Sequence, residues 1–173
     1  MRKRLAAHHG RYRTPAPKAT VTFCHEARHL RNARASRFLT GLSQGKFLGQ
    51  RCPKCRKVYV PPRGSCPTDG VPTEEEVELG NAGTLTTYCV VNVPFAGQSI
   101  EIPYTCAQIL LDGANLSFMG LIQEVPTDEV RMGMRVEAVW KDPSEWGPTM
   151  ESVRYFRPNG EPDAEYGSYR EYL

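Results

Sequence analysis

The sequence predicts a mainly β protein: an N-terminal helical segment, a rubredoxin-like zinc ribbon, and a five-stranded barrel of the OB type. Two observations carry this. Cys52-Pro-Lys-Cys55 and, ten residues later, Cys66-Pro-Thr-Asp69 have the spacing of the two knuckles with which a zinc ribbon holds its metal. Between residues 83 and 156, five short apolar runs follow one another with no long helical pattern between them, and five strands of that size close naturally into a small barrel.

Taken in order, residues 1–20 form a polar, basic arm with Gly10 and Pro15-Ala-Pro17 and no apolar period, predicted to be disordered. A helical segment is assigned to 21–46. Within it, 24–44 carries Leu30, Ala33, Phe38, Leu39 and Leu42 at helical spacing, and Gly45 is placed to stop it. Residues 47–75 make the ribbon, entered through Phe47-Leu-Gly-Gln-Arg, with Val58-Tyr-Val and Pro61-Pro-Arg63 between the knuckles. The barrel takes 76–158. Its first run places Leu85, Cys89, Val91 and Val93 on one face by alternation, and the others cover Tyr104–Leu111, 116–122, Arg135–Trp140 and 150–156. Asp112-Gly113 is a hairpin signal between the second and third. Val136, Ala138 and Trp140 share a face, and Cys89 and Cys106 read as small core residues. Residues 159–173, with Tyr166, Tyr169, Tyr172 and Leu173, read as a C-terminal tail that docks on the surface or on a partner, against the plain reading of a frayed, disordered end.

Composition bounds what such a chain does. Its 173 residues suffice for a core without disulfides. No apolar run approaches the roughly 18 residues of a membrane span, and the basic N-terminus lacks the apolar stretch of a secretory signal. The expected location is therefore cytoplasmic, where this cysteine spacing favours metal over disulfides. The net charge of +3 hides an asymmetry: residues 1–37 hold ten Lys/Arg against Glu26, a balance of +9, which leaves −6 for the rest. All four histidines precede residue 30, and there is no phosphate loop, nucleophile elbow or helical His-Glu-x-x-His motif. An independent hydrolase or acyltransferase is thus disfavoured.

The metal candidates are Cys52, Cys55, Cys66 and Asp69. A carboxylate oxygen can complete a zinc tetrahedron beside three thiolates. Water in the fourth position, or a metal-free ribbon held by packing, are the alternatives. The expected role is structural, because no general base lies nearby in sequence. Asp69 also disfavours a rubredoxin-type electron carrier, which needs four thiolates on iron. Arg28, Arg31, Arg34 and Arg37 recur every third residue as a drifting basic stripe, and with Arg63 they are candidate contacts for the phosphates of a coenzyme A ligand, against the plain reading of a solvated helix face. An alternative function is single-stranded nucleic-acid binding, with Tyr88, Tyr104, Phe118 and Trp140 as stacking candidates. The acidic balance of the barrel portion opposes it, and core packing is the simpler use of those rings.

The order of motifs resembles the DUF35 family. The matching pieces are Phe38-Leu-Thr-Gly-Leu-Ser-Gln-Gly45, Cys52-Pro-Lys-Cys55, Pro61-Pro-Arg63, Cys66-Pro, Gly83-Thr-Leu and Val130-Arg-Met-Gly-Met-Arg-Val136. Family members usually carry cysteine where this chain has Asp69. The resemblance implies a zinc ribbon plus OB-fold protein associated with acyl-CoA metabolism. Such a protein is a non-catalytic subunit in a hetero-oligomer with a thiolase-superfamily enzyme: a lipid-transfer-type thiolase, an acyl-CoA aldolase of steroid side-chain degradation, or a 3-hydroxy-3-methylglutaryl-CoA synthase assembly. The stretch Phe156-Arg-Pro-Asn-Gly-Glu-Pro-Asp resembles the actinobacterial steroid-degradation branch. In that picture the partner supplies the nucleophile and bases, and this chain stabilises it and contributes to the CoA channel.

Overall fold

The computed structural model describes residues 33–173 apart from 95–97 and 99, with side chains from residue 37 onward. The predicted arm at 1–20 and the 24–32 part of the predicted helix lie outside the described residues. Helix α1 spans Ala33–Leu42 and buries Phe38 and Leu42, which are four apart on one face. Gly45 ends it as anticipated: its φ is 71°, and Lys46 N–H donates to the Gly41 carbonyl at 2.9 Å. Gly45 has a second constraint that the helix pattern does not reveal. A Cβ there would stand 2.5 Å from the Trp146 ring.

The ribbon is a three-stranded antiparallel sheet in the order β2-β1-β3, made of β1 (Phe47–Arg51), β2 (Val58–Tyr59) and β3 (Glu75–Leu79). The closed barrel follows, with β4 (Ala82–Val91), β5 (Tyr104–Leu111), β6 (Phe118–Ile122), β7 (Arg135–Trp140) and β8 (Val153–Pro158) in the order β4-β5-β6-β8-β7. β7 closes it by pairing with β4, and the β6–β8 seam is parallel. A short α2 (Tyr166–Tyr169) and one turn at Arg170–Tyr172 complete the chain.

Leu85, Ile109, Phe118, Ile122, Val136 and Phe156 fill the barrel, and the same cluster continues through Phe47, Val58 and Val60 to Phe38 and Leu42. Helix, ribbon and barrel therefore share one core. Phe47 is its pivot, with its ring 4.8 Å from Trp140 and 5.9 Å from Phe118. Of the four aromatic residues considered as base-stacking candidates, Phe118 and Trp140 are thus packing residues, Tyr104 is half-buried, and Tyr88 is exposed.

The alternation read for the first strand is corrected. Leu85 is buried, but Cys89 and Val93 are exposed and Val91 is only partly covered. A register shift between Leu85 and Thr87 is the cause: one additional residue turns everything after it to the opposite face. Cys106 is likewise half-buried, because Thr105, Ala107 and Ile109 are the inward residues of β5. The third strand begins at Phe118, not 116, and the fifth at Val153, not 150, where Thr149 caps a turn of Met150–Ser152 by accepting from Glu151 N–H.

The tail lies on the chain's own barrel. Tyr169 is buried, and the Cβ position of Gly133 is only 3.2 Å from its hydroxyl. Asn115, between β5 and β6, joins three parts. Its Oδ1 accepts from Val58 N–H of the ribbon at 2.8 Å, its own N–H donates to the Val58 carbonyl at 2.8 Å, and its Nδ2 donates to Tyr172 Oη at 2.7 Å. Arg135 adds an ionic tie, donating to both Asp112 oxygens at 2.7 and 2.6 Å and to Glu161 at 2.8 Å.

Candidate metal centre

Two tight turns present the four donors. In the first, Arg56 N–H donates to the Cys52 carbonyl at 3.1 Å and Cys52 N–H to the Lys57 carbonyl at 2.9 Å. In the second, Gly70 N–H donates to the Cys66 carbonyl at 2.9 Å and Cys66 N–H to the Val71 carbonyl at 2.8 Å. The turns match residue for residue. Each closes on a left-handed residue four positions after its first cysteine, Arg56 at φ 63° and Gly70 at φ 67°. The spacing Cys-x-x-Cys and Cys-x-x-Asp is what this turn requires to bring both donors to one side.

The donor atoms of Cys52, Cys55, Cys66 and Asp69 all lie within 4.8 Å of one another. Cys55 Sγ is 3.6 Å from Cys66 Sγ, and Asp69 Oδ2 is 3.3 Å from Cys52 Sγ and 3.4 Å from Cys66 Sγ. A tetrahedral zinc with ordinary bond lengths sets sulfurs roughly 3.8 Å apart and sulfur to oxygen roughly 3.5 Å. The donor set therefore fits zinc in both chemistry and spacing. Four protein donors fill a tetrahedron, which is the closed form of a structural site and leaves no position for substrate.

The surroundings act on the donors in opposite directions. Cys52 and Cys66 are buried with Tyr59, and Val71 and Leu116 pack around them. Burial alone would push the Cys66 thiol up, but the hydrogen bond from Tyr59 Oη and the backbone N–H groups of Asp69 and Thr68 outweigh it and bring it down to about 7. At Cys55, Lys57 N–H acts downward, and burial with the crowding of Asp69 and the other two sulfurs overrides it, raising the thiol to about 11. Asp69 is held below the usual carboxylate range by the three cysteines that point at it, Cys55 foremost.

Residues 39–75 match the family described as the ChsH2 rubredoxin-like zinc ribbon domain, and residues 76–141 match the ChsH2 C-terminal OB-fold domain. Over 97 residues the chain is 38% identical to a DUF35 domain-containing scaffold protein of Methanocaldococcus jannaschii, covering 55% of this chain and 67% of that protein. The chain belongs to the DUF35 family. A second relative by sequence is a probable enoyl-CoA hydratase alpha subunit of Thermomonospora curvata, 29% identical over 97 residues, a match spanning 56% of this chain and 30% of that protein. Two solved structures share the fold. One is the Ltp2-ChsH2(DUF35) aldolase, with TM-score 0.58 and 24% identity, covering 75% of this chain and 97% of that one. The other is a DUF35 protein of Sulfolobus solfataricus, with TM-score 0.56 and 20% identity, covering 79% and 92%.

The structure shows the arginine candidates only in part. Arg28 and Arg31 lie outside the described residues, Arg34 lies in α1 without a described side chain, and Arg37 and Arg63 are exposed. Sequence reasoning passed over Tyr59, the hydroxyl that meets Cys66 Sγ at 3.3 Å. Its only signal was a place between two apolar residues in the bridging strand.

Proposed function

We propose that this DUF35 protein is the non-catalytic subunit of a hetero-oligomer with a thiolase-superfamily enzyme that acts on acyl-CoA substrates, as an aldolase or thiolase. The observation that carries the proposal is the pairing of a closed metal site with family relatives named for scaffolding and for an aldolase assembly. Cys52, Cys55, Cys66 and Asp69 hold a structural zinc in this reading, which fixes the ribbon against the barrel. Every histidine of the chain precedes residue 30, so no described residue is a histidine base. The chemistry then belongs to the partner's nucleophile and bases.

Finer assignments follow from the same reading. Steroid side-chain degradation supplies the substrate class, in line with the Phe156-Arg-Pro-Asn-Gly-Glu-Pro-Asp stretch. Arg37 and Arg63, with Arg28, Arg31 and Arg34, offer cations to CoA phosphates at the mouth of the partner's channel. The exposed Tyr166 and Leu173 are the part of the tail left to meet the partner. The complex is cytoplasmic, and no described helix is long and apolar enough to cross a membrane.

The test is affinity capture of the tagged chain from its native host. Co-elution of a thiolase-superfamily enzyme, with acyl-CoA turnover by the pair and none by either chain alone, is expected. Turnover by the isolated chain would overturn the accessory role. Salt-sensitive binding of single-stranded DNA or RNA, with no enzyme captured, would move the reading to nucleic acid.

A further inference from the structure

The outer wall of the barrel carries a second pair of sulfurs, apart from the ribbon. Cys89 on β4 and Cys106 on β5 are direct cross-strand partners, so their side chains leave the same face of the sheet. Directly opposed residues of an antiparallel pair have Cα atoms roughly 4.5–5.5 Å apart. That interval falls inside the roughly 4.4–6.8 Å over which a disulfide can close without moving the backbone. Both thiols are free, Cys89 exposed and Cys106 half-buried. With Thr87, Gln108 and Met119 they line a groove of about 200 Å³. Burial, and then the charge of Cys89, raise the Cys106 thiol. Among the described residues, the ribbon is the only group of three or more histidine, cysteine or acidic side chains placed to hold a metal.

We propose that Cys89 and Cys106 form a reversible thiol–disulfide site that exchanges with low-molecular-weight disulfides. Exposed Cys89 loses its proton to solvent, and its thiolate attacks one sulfur of the small disulfide. The S–S bond of that molecule breaks and one small thiol leaves. Cys106 then loses its proton and attacks the Cys89 sulfur of the mixed disulfide, releasing the second small thiol. Two protein thiols become one disulfide as one small disulfide becomes two thiols. Both attacks quicken as pH rises, because each requires a thiolate. Closure ties β4 to β5 at the base of their connection, covers the groove and constrains the unfolded chain, so the oxidised form melts at higher temperature.

The experiment uses the full, zinc-loaded chain with Cys24→Ser, in excess oxidised glutathione. Acid quenching, alkylation and peptide mapping follow, and zinc retention is measured in the same sample. The expected result is a Cys89–Cys106 linked peptide, retained zinc, and full reversal by a dithiol reductant. With Cys106→Ser, Cys89 is expected to accumulate as a lasting mixed disulfide with glutathione. With Cys89→Ser, the linked peptide should vanish while zinc stays bound. Alkylation of both thiols after treatment would overturn the proposal. So would a lasting mixed disulfide on Cys89 in the parent, or linkage confined to the ribbon cysteines with loss of zinc.

Discussion

Replacing Asn115 by alanine should loosen ribbon, barrel and tail together, and the size of the effect can be worked from its three hydrogen bonds. The backbone bond from Asn115 N–H to the Val58 carbonyl survives the change. The bond at 2.8 Å to Val58 N–H does not, and Val58 is only 3% exposed, so its donor is left buried without a partner. Such a group costs about 1–3 kcal/mol. Loss of the 2.7 Å bond to the half-buried Tyr172 hydroxyl adds about 0.5–1.5 kcal/mol. The expected total is roughly 1.5–4.5 kcal/mol, a large share of the roughly 5–15 kcal/mol that holds a domain folded. Tyr172→Phe removes only the second bond and should cost about 0.5–1.5 kcal/mol. Urea unfolding of both zinc-loaded variants, followed by circular dichroism, measures the difference. If the two variants lost the same stability, Asn115 would not be the bridge between ribbon and barrel.

Three further outcomes are expected. Gly45→Ala combines a left-handed backbone with a Cβ 2.5 Å from Trp146, and urea titration should show a loss of about 2–4 kcal/mol; no loss would mean that the ring moves aside freely. Tyr59→Phe removes the hydroxyl that meets Cys66 Sγ, and competition with a chromophoric chelator should show zinc affinity lower by about 10–100-fold. Glu161 and Glu124 sit below the ordinary carboxylate range, Glu161 chiefly through Arg135 and Glu124 chiefly through Tyr155 with Arg157. Depressed folded-state values give stability that is present above the unfolded carboxylate range and lost as pH falls through the folded values. Stability should therefore drop on acidification through that range, and Glu161→Gln should flatten the acid limb measured by thermal unfolding at a series of pH values.

Much of the architecture was legible because it rests on local chemistry. The knuckles declare themselves through a spacing that only a tight turn with paired donors requires, and Gly45 marks the helix end through its backbone freedom. Runs such as Tyr104–Leu111, bounded by Asp112-Gly113, read directly as strands. What was missed depends on geometry that no short window contains. The bulge after Leu85 reverses the faces of Thr87 to Val91, so Cys89 looks like a core residue in sequence and stands on the surface in the fold. Asn115 reads as part of a turn, because Val58 is 57 positions away. Trp146 is likewise remote in sequence from Gly45, and only the fold, which sets its ring edge-on to Trp140, brings them together. Asp69 could be placed in the turn by spacing alone, but its Oδ2 at 3.3 and 3.4 Å from two sulfurs is what makes it a fitting fourth ligand.

The central claim is that three thiolates and one carboxylate clasp a zinc ion that holds the ribbon in shape. Elemental analysis of the purified native chain, with Cys52→Ser alongside, tests it most directly. The account predicts one zinc per chain, absent from Cys52→Ser, whose ribbon should then unfold. A native chain that is folded and free of metal, with Cys52, Cys55 and Cys66 all open to thiol reagents, would contradict it.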